Sequence, residues 1–209
     1  MKIAVFGATG RTGQHLVQQA LEQGHDVVAL ARTPSKLTIQ NKALKIIQGD
    51  VKDPACVEQV ITGADAVVSV MGPTSNRATF EVSQGTQHIL AAMSKYGVKR
   101  LIISAGAGVG DPEDTPGLFN KVMNSLLKAA AKNVFEDMLK TIAFVRSSDR
   151  DWTVVRVPML TGDAKTGRVK VGMVGKGMGS RISRADLAEY ILKILQSGEQ
   201  LRRAPAISN

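Results

Sequence analysis

The chain has little sulfur chemistry and few rings. Cys56 is the one cysteine in 209 residues. That excludes an intrachain disulfide and fits a reducing, cytoplasmic setting. Aromatic residues make up 4% of the chain. Trp152, Tyr96 and Tyr190 are its only large amphipathic rings, too few for the stacking platforms of a single-strand nucleic-acid binder. No apolar stretch reaches the roughly 18 residues of a membrane span. The first residues run straight into a strand-like segment, so no signal peptide is expected. Basic residues never form a run of five or six. The net charge of +9 therefore reads as a spread, solvated surface that attracts an anionic ligand. Neither a nucleic-acid partner nor a membrane is expected.

What is present is an ordinary globular composition, 44% hydrophobic and 22% charged. The length suits one complete core, so residues 1–209 are expected to form a single domain. Apolar runs alternate with amphipathic ones. Residues 2–7, 26–31, 43–50, 65–72, 100–106 and 151–158 read as buried strands. Residues 13–24 have Leu16, Val17, Ala20 and Leu21 at helical spacing, with Gly24 as terminator. Residues 53–63 form a short helix, with Asp53 as N-cap and Pro54 at its first position. A long helix over 81–97 closes at Gly97. Residues 106–117 are rich in Gly, Pro and acid and read as a loop. Residues 118–148 give a long, bent helical pattern. Residues 167–172 read as an edge strand or hairpin arm, and 204–208 as a last short strand. Ser183 and Asp186 open the final helix with a capping-box pattern. This alternation predicts an α/β fold: a doubly wound, Rossmann-type, three-layer α/β/α arrangement. Its mostly parallel sheet should have the order 3-2-1-4-5-6, with one or two short strands added.

Residues 7–13 read "GATGRTG" between the first strand and the first helix. Gly7 permits the tight turn, Gly10 lets a pyrophosphate approach the backbone, and Gly13 lets helix and strand pack closely. The helix N-terminus then offers N–H groups to phosphates. Thr9, Arg11 and Thr12 share this turn and count with the cofactor-binding residues. The spacing is Gly-x-x-Gly-x-x-Gly, without the Lys-Ser/Thr ending of a mononucleotide P-loop. A dinucleotide enzyme using NAD wants a carboxylate about 20 residues further on. Residues 29–36 read "ALARTPSK" and hold no acid. Arg32, Lys36 and Arg11 instead suit a 2′-phosphate, so the expected cofactor is NADP(H).

With "ARTPSKL", "GDVKD", "VVSVMG", "LIISAG" and "DWTVVRVP" following in order, the chain resembles the extended and atypical short-chain dehydrogenase/reductase superfamily over nearly its whole length. The resemblance implies that Asp50 and Val51 hold the adenine, that Met71 and Gly72 border the ribose, and that Ser104 and Pro158 flank the nicotinamide. Ser104 is the catalytic candidate. It either donates to the substrate or carboxamide, or caps the following loop. The Tyr-x-x-x-Lys pair of conventional members is absent: Tyr96 is followed by Arg100, and Tyr190 by Lys193 at the wrong spacing. His15, His25 and His88 lie on helices or a turn in the first half and read as surface or packing residues. No metal-ligand spacing is present.

Among the atypical, nitrogen-regulator-like (NmrA-like) members, the chain is most similar to the flavin reductase/biliverdin reductase B group, through "MKIAVFGATGRTG", "ALARTPSKL", "GDVKDPACV" and "GTQHILAAMSKYGVKR". The resemblance implies hydride transfer from NADPH to a small planar acceptor such as a flavin, or to a quinone-like or other conjugated molecule. Where that group carries a Ser and a His, this chain has Gly106 and Met159, which speaks against biliverdin itself. Residues 106–135 and 159–182 should form the substrate wall. Phe119, Met123, Leu126 and Leu127 either cover a planar ring or pack the core. The same superfamily holds the alternative: an NADP(H)-binding redox sensor, or a regulatory or assembly protein, without turnover. A monomer or weak homo-oligomer is expected.

Overall fold

Lys2–Phe6 alternates its side chains between two apolar layers, and this sets the architecture. Ile3 and Val5 enter one core; Ala4 and Phe6 enter the other. A strand buried on both faces must sit inside a sheet covered on both sides. The computed structural model, which describes residues 1–73, 75–117, 128–175 and 177–209, has that form.

Among the described residues, eight strands form one sheet. They are β1 (Lys2–Phe6), β2 (Asp26–Ala31), β3 (Leu44–Gln48), β4 (Ala66–Ser69), β5 (Arg100–Gly106), β6 (Asp151–Val157), β8 (Lys170–Gly172) and β10 (Ala206–Ser208). The order is β3-β2-β1-β4-β5-β6-β10-β8. It contains the expected 3-2-1-4-5-6 and the two added short strands. All pairings are parallel except β10 with β8, which makes the expected edge strand antiparallel. Two further strands, β7 (Met159–Thr161) and β9 (Arg181–Ser183), pair in parallel as a separate small sheet.

Among the described residues, the helices that cover the large sheet are α1 (Arg11–Glu22), α2 (Pro54–Ile61), α3 (Glu81–Lys95), α4 (Lys132–Ser147) and α5 (Arg184–Ser197). One core lies under α1 and α5, the other under α2, α3 and α4. The helix ends follow the predicted residues. After α1, Gly24 takes φ +77°. Its amide bonds the Leu21 carbonyl, and the His25 amide bonds that of Ala20, a Schellman closure. Gly97 closes α3 in the same way. Asp53 caps α2 by accepting from the Ala55 amide, and Ser183 caps α5 by accepting from that of Asp186. The helical pattern read over 118–148 is helical across 132–147; residues 118–127 lie outside the described part. Among the described residues no helix is long and apolar enough to cross a membrane.

The loop after β5 is anchored from below. Arg156 of β6 is fully buried and grips Asp114 with both terminal nitrogens, at 2.5 and 2.9 Å. Asp114 also accepts from the Asp111 and Val174 amides. The pair therefore ties the 106–117 loop to the sheet and to the segment after β8.

Candidate functional site

The glycine turn sits where β1 ends. Gly7 has φ +84°, and a Cβ there would lie 2.8 Å from the Val70 carbonyl carbon. A Cβ on Gly13 would meet the Gly7 carbonyl oxygen at 2.1 Å, so α1 rests directly on the turn. The start of α1 has no side-chain cap and no acid in its first turn, unlike the capped starts of α2 and α5. Its leading amides are thus available to an anion. This donor set, with backbone in place of side chains, fits the pyrophosphate of a dinucleotide.

A cleft of about 210 Å³ opens beside the turn, across the C-terminal ends of β1 to β4. Gly7, Thr9, Gly10, Arg32, Asp50, Val51, Met71 and Gly72 all line it, so these sequence-chosen residues share one place. The other chosen residues do not line it. Arg11 is exposed at the first position of α1, and Thr12 and Gly13 are buried behind the turn. Lys36 is exposed in the short 3₁₀ turn Pro34–Lys36. Ser104 and Pro158 are half-buried at the ends of β5 and β6, farther along the sheet. Phe119, Met123, Leu126 and Leu127 lie outside the described residues.

The corner after β3 is rigid. One oxygen of Asp50 accepts from the Lys52 amide at 2.9 Å. Val51 packs onto α3 where Gly85 leaves room, since a Cβ there would lie 2.5 Å from the Val51 side chain. The Val51 carbonyl is 2.9 Å from His88 Nδ1. A carbonyl only accepts, so Nδ1 carries the proton. His88 therefore packs and orients this corner. Cys56 lies beneath Gly49 and donates to Asp53 at 3.1 Å. That bond pushes the thiol pKa up and the Asp53 carboxyl pKa down, which disfavours the reactive thiolate at Cys56.

Glu81 and Val82 also line the cleft, and the sequence reading did not include them. Glu81 faces Arg32 at 3.7 Å and Lys52 at 2.9 Å. The start of α3 is held by Asp137 of α4, which accepts from the Val82 and Ser83 amides at 3.1 and 2.9 Å. The only available signal was Glu81 as an acid in a first helical turn, which ordinarily reports on the helix dipole alone.

Beyond the cleft, Ser104 lies opposite Val155 of β6. The Gly106 amide donates to Met138 Sδ of α4 at 3.3 Å. Met159 is 60% exposed. Tyr190 is buried within the core under α5, and burial, with Glu199 adding to it, pushes its phenol pKa up to about 12. It does not line the cleft, and a phenol so raised is a poor acid at neutral pH.

Residues 7–198 match the family model described as NAD(P)H-binding. An oxidoreductase of Pestalotiopsis microspora is 30% identical over 167 residues, which cover 71% of this chain and 62% of that protein. This chain thus spans about three fifths of that relative's length. A short-chain dehydrogenase/reductase of Veillonella parvula, solved in complex with NADP, superposes with a TM-score of 0.84 at 19% identity, covering 100% of this chain and 94% of that one. ChuY, an anaerobilin reductase of Escherichia coli O157:H7, gives 0.78 at 20%, covering 100% and 97%. At those identities the two structures share the fold.

Proposed function

The chain belongs to the NAD(P)H-binding family, and from that premise we propose that it is an NADPH-dependent reductase of a flavin, quinone-like or other conjugated acceptor. The carrying observation is Arg32, whose exposed guanidinium lines the cleft at the end of β2, where an NAD enzyme would place a carboxylate. A guanidinium binds a 2′-phosphate bidentately. The amides at the start of α1 take the pyrophosphate. The free oxygen of Asp50 accepts from the adenine amine, while Val51 and Met71 hold the ring.

When bound, the nicotinamide supplies a hydride. Ser104 and Pro158 would border its ring, and the Ser104 hydroxyl would donate to the substrate or to the carboxamide. The loop pinned by Asp114 and Arg156, with Met138 and Met159, forms the acceptor wall. Tyr190 lies in the core with its phenol pKa pushed up by burial, which supports an acceptor that takes its proton from water. The fungal oxidoreductase supports turnover over sensing.

The test is NADPH consumption with a panel of flavins, quinones and tetrapyrroles, beside a direct NADPH titration. Oxidation with at least one acceptor is expected. Tight binding without turnover on any of them replaces this reading with that of a sensor. Arg32→Glu should weaken NADPH by about tenfold or more, the loss of one charge-assisted contact of ~1.5–3 kcal/mol. NADH affinity should hold. An unchanged NADPH dissociation constant sinks the cofactor assignment.

A further inference from the structure

We propose that Glu81 sets the cofactor preference of the cleft: its carboxylate bridges Arg32 and Lys52, and a 2′-phosphate takes both cations by displacing it. The proposal rests on the reading that Arg32 meets the 2′-phosphate.

The geometry has a carboxylate where an anion is wanted. Glu81 Oε2 lies 3.7 Å from Arg32 and Oε1 lies 2.9 Å from Lys52. Each oxygen holds one cation, so the carboxylate occupies the space between two positive groups. Phosphate, with more oxygens and more charge, can span the same two groups. The bridge is also loose. Arg32 and Lys52 are 56% and 42% exposed in their side chains, and exposed pairs of this kind contribute little and exchange readily. Neither cation has another acidic partner among the described residues.

The frame around the bridge is firm. Asp137 fixes the backbone at the start of α3, so Glu81 yields by turning its side chain, with the helix in place. Asp50 fixes the Lys52 amide. Lys36 and Lys52 are both exposed and neither lines the cleft itself, but Lys52 reaches Glu81, which does line it, at 2.9 Å, and so becomes a further cation of the phosphate seat.

The charge count gives the direction. Arg32, Lys52 and Glu81 sum to +1, and without the carboxylate to +2. A cofactor with a 2′-phosphate gains from the change. One with a plain ribose hydroxyl has no charge at that point and does not.

The experiment is calorimetric titration of NADPH and NADH into the full chain at low ionic strength. It uses wild type, Glu81→Gln, Lys52→Ala and Arg32→Glu, with the fold of each checked by circular dichroism. Glu81→Gln should tighten NADPH about fivefold and leave NADH within about twofold. The gain should shrink as salt is added, which loss of a purely structural contact would not produce. Lys52→Ala should weaken NADPH and spare NADH. If Glu81→Gln leaves NADPH unchanged or weakens it while Arg32→Glu still abolishes the preference, the proposal falls and the NADPH reading stands. If Arg32→Glu has no effect, the NADPH reading itself falls and takes the proposal with it.

Discussion

Tyr190 carries a hydroxyl without a hydrogen-bond partner among the described residues, deep in the core beneath α5. An unmet buried hydroxyl costs about 1–3 kcal/mol in desolvation. Tyr190→Phe keeps the ring and removes the burden, so urea denaturation should show a stability gain of about 1 kcal/mol. A loss of stability would mean that the hydroxyl has found a partner. At this scale the sequence was informative where chemistry is local. Gly7, Gly10 and Gly13 are close neighbours, and their spacing alone describes a turn. Arg32 was legible because the missing carboxylate belongs to the same short segment. Glu81 was not. Its meaning comes from Arg32 and Lys52, whose distance from it along the chain says nothing about their closeness in space.

α3 starts without a side-chain cap of its own. Phe80 precedes it in the left-handed region at φ 48°, a conformation that is uncommon outside glycine and asparagine. Asp137, one turn into α4, supplies the missing acceptors. Asp137→Ala should cost about 1–2 kcal/mol, as lost caps do, and should loosen Glu81 and Val82 at the cleft. Chemical denaturation reads the first effect. Faster amide hydrogen exchange at Val82 and Ser83 reads the second. Helix ends set by their own residues, such as Gly24, Gly97, Asp53 and Ser183, could be read from the sequence. An end capped from another helix leaves no pattern in either segment. β7 and β9 were missed for a related reason: three residues are too few to show a period, and their pairing brings together 159–161 and 181–183.

Two buried carboxylates tie remote parts of the molecule together. Asp114 joins the 106–117 loop to β6 and to Val174. Asp186 accepts from Ser183, Thr166, Gly167 and Asn209, and so joins α5 to the segments before β8 and after β10. Burial works to raise both pKa values. The bonds from Arg156 and the Val174 amide outweigh it at Asp114, and those from Ser183 and Gly167 at Asp186, so both end below the usual carboxylate value. Each group then stays ionised in the folded chain at a pH where the unfolded chain has taken up its proton. Their contribution is complete above about pH 4–5 and is lost as pH falls through the native values. Thermal melts from pH 7 to 3 should show this fall. Asp186→Asn should cost about 2 kcal/mol at pH 7, with the deficit narrowing below pH 4. A constant deficit would remove ionisation from the account.

The strand order was legible because strand and helix patterns alternate, and parallel crossovers of one hand leave few arrangements. The partnership of α1 with α5 was not. It spans the chain, as the bond from Gln19 Nε2 to the Ala185 carbonyl at 3.0 Å shows. That partnership has a consequence during synthesis. A ribosome delivers β1 and α1 first and α5 more than 160 residues later. Ile102, Val155 and Val157 share a core with Leu187, Ile191 and Leu195 of α5. Until that helix emerges, the part of this face that α1 does not cover is bare apolar surface. The interval is set by translation speed, and during it the nascent chain is at its most adhesive and most in need of a holding chaperone.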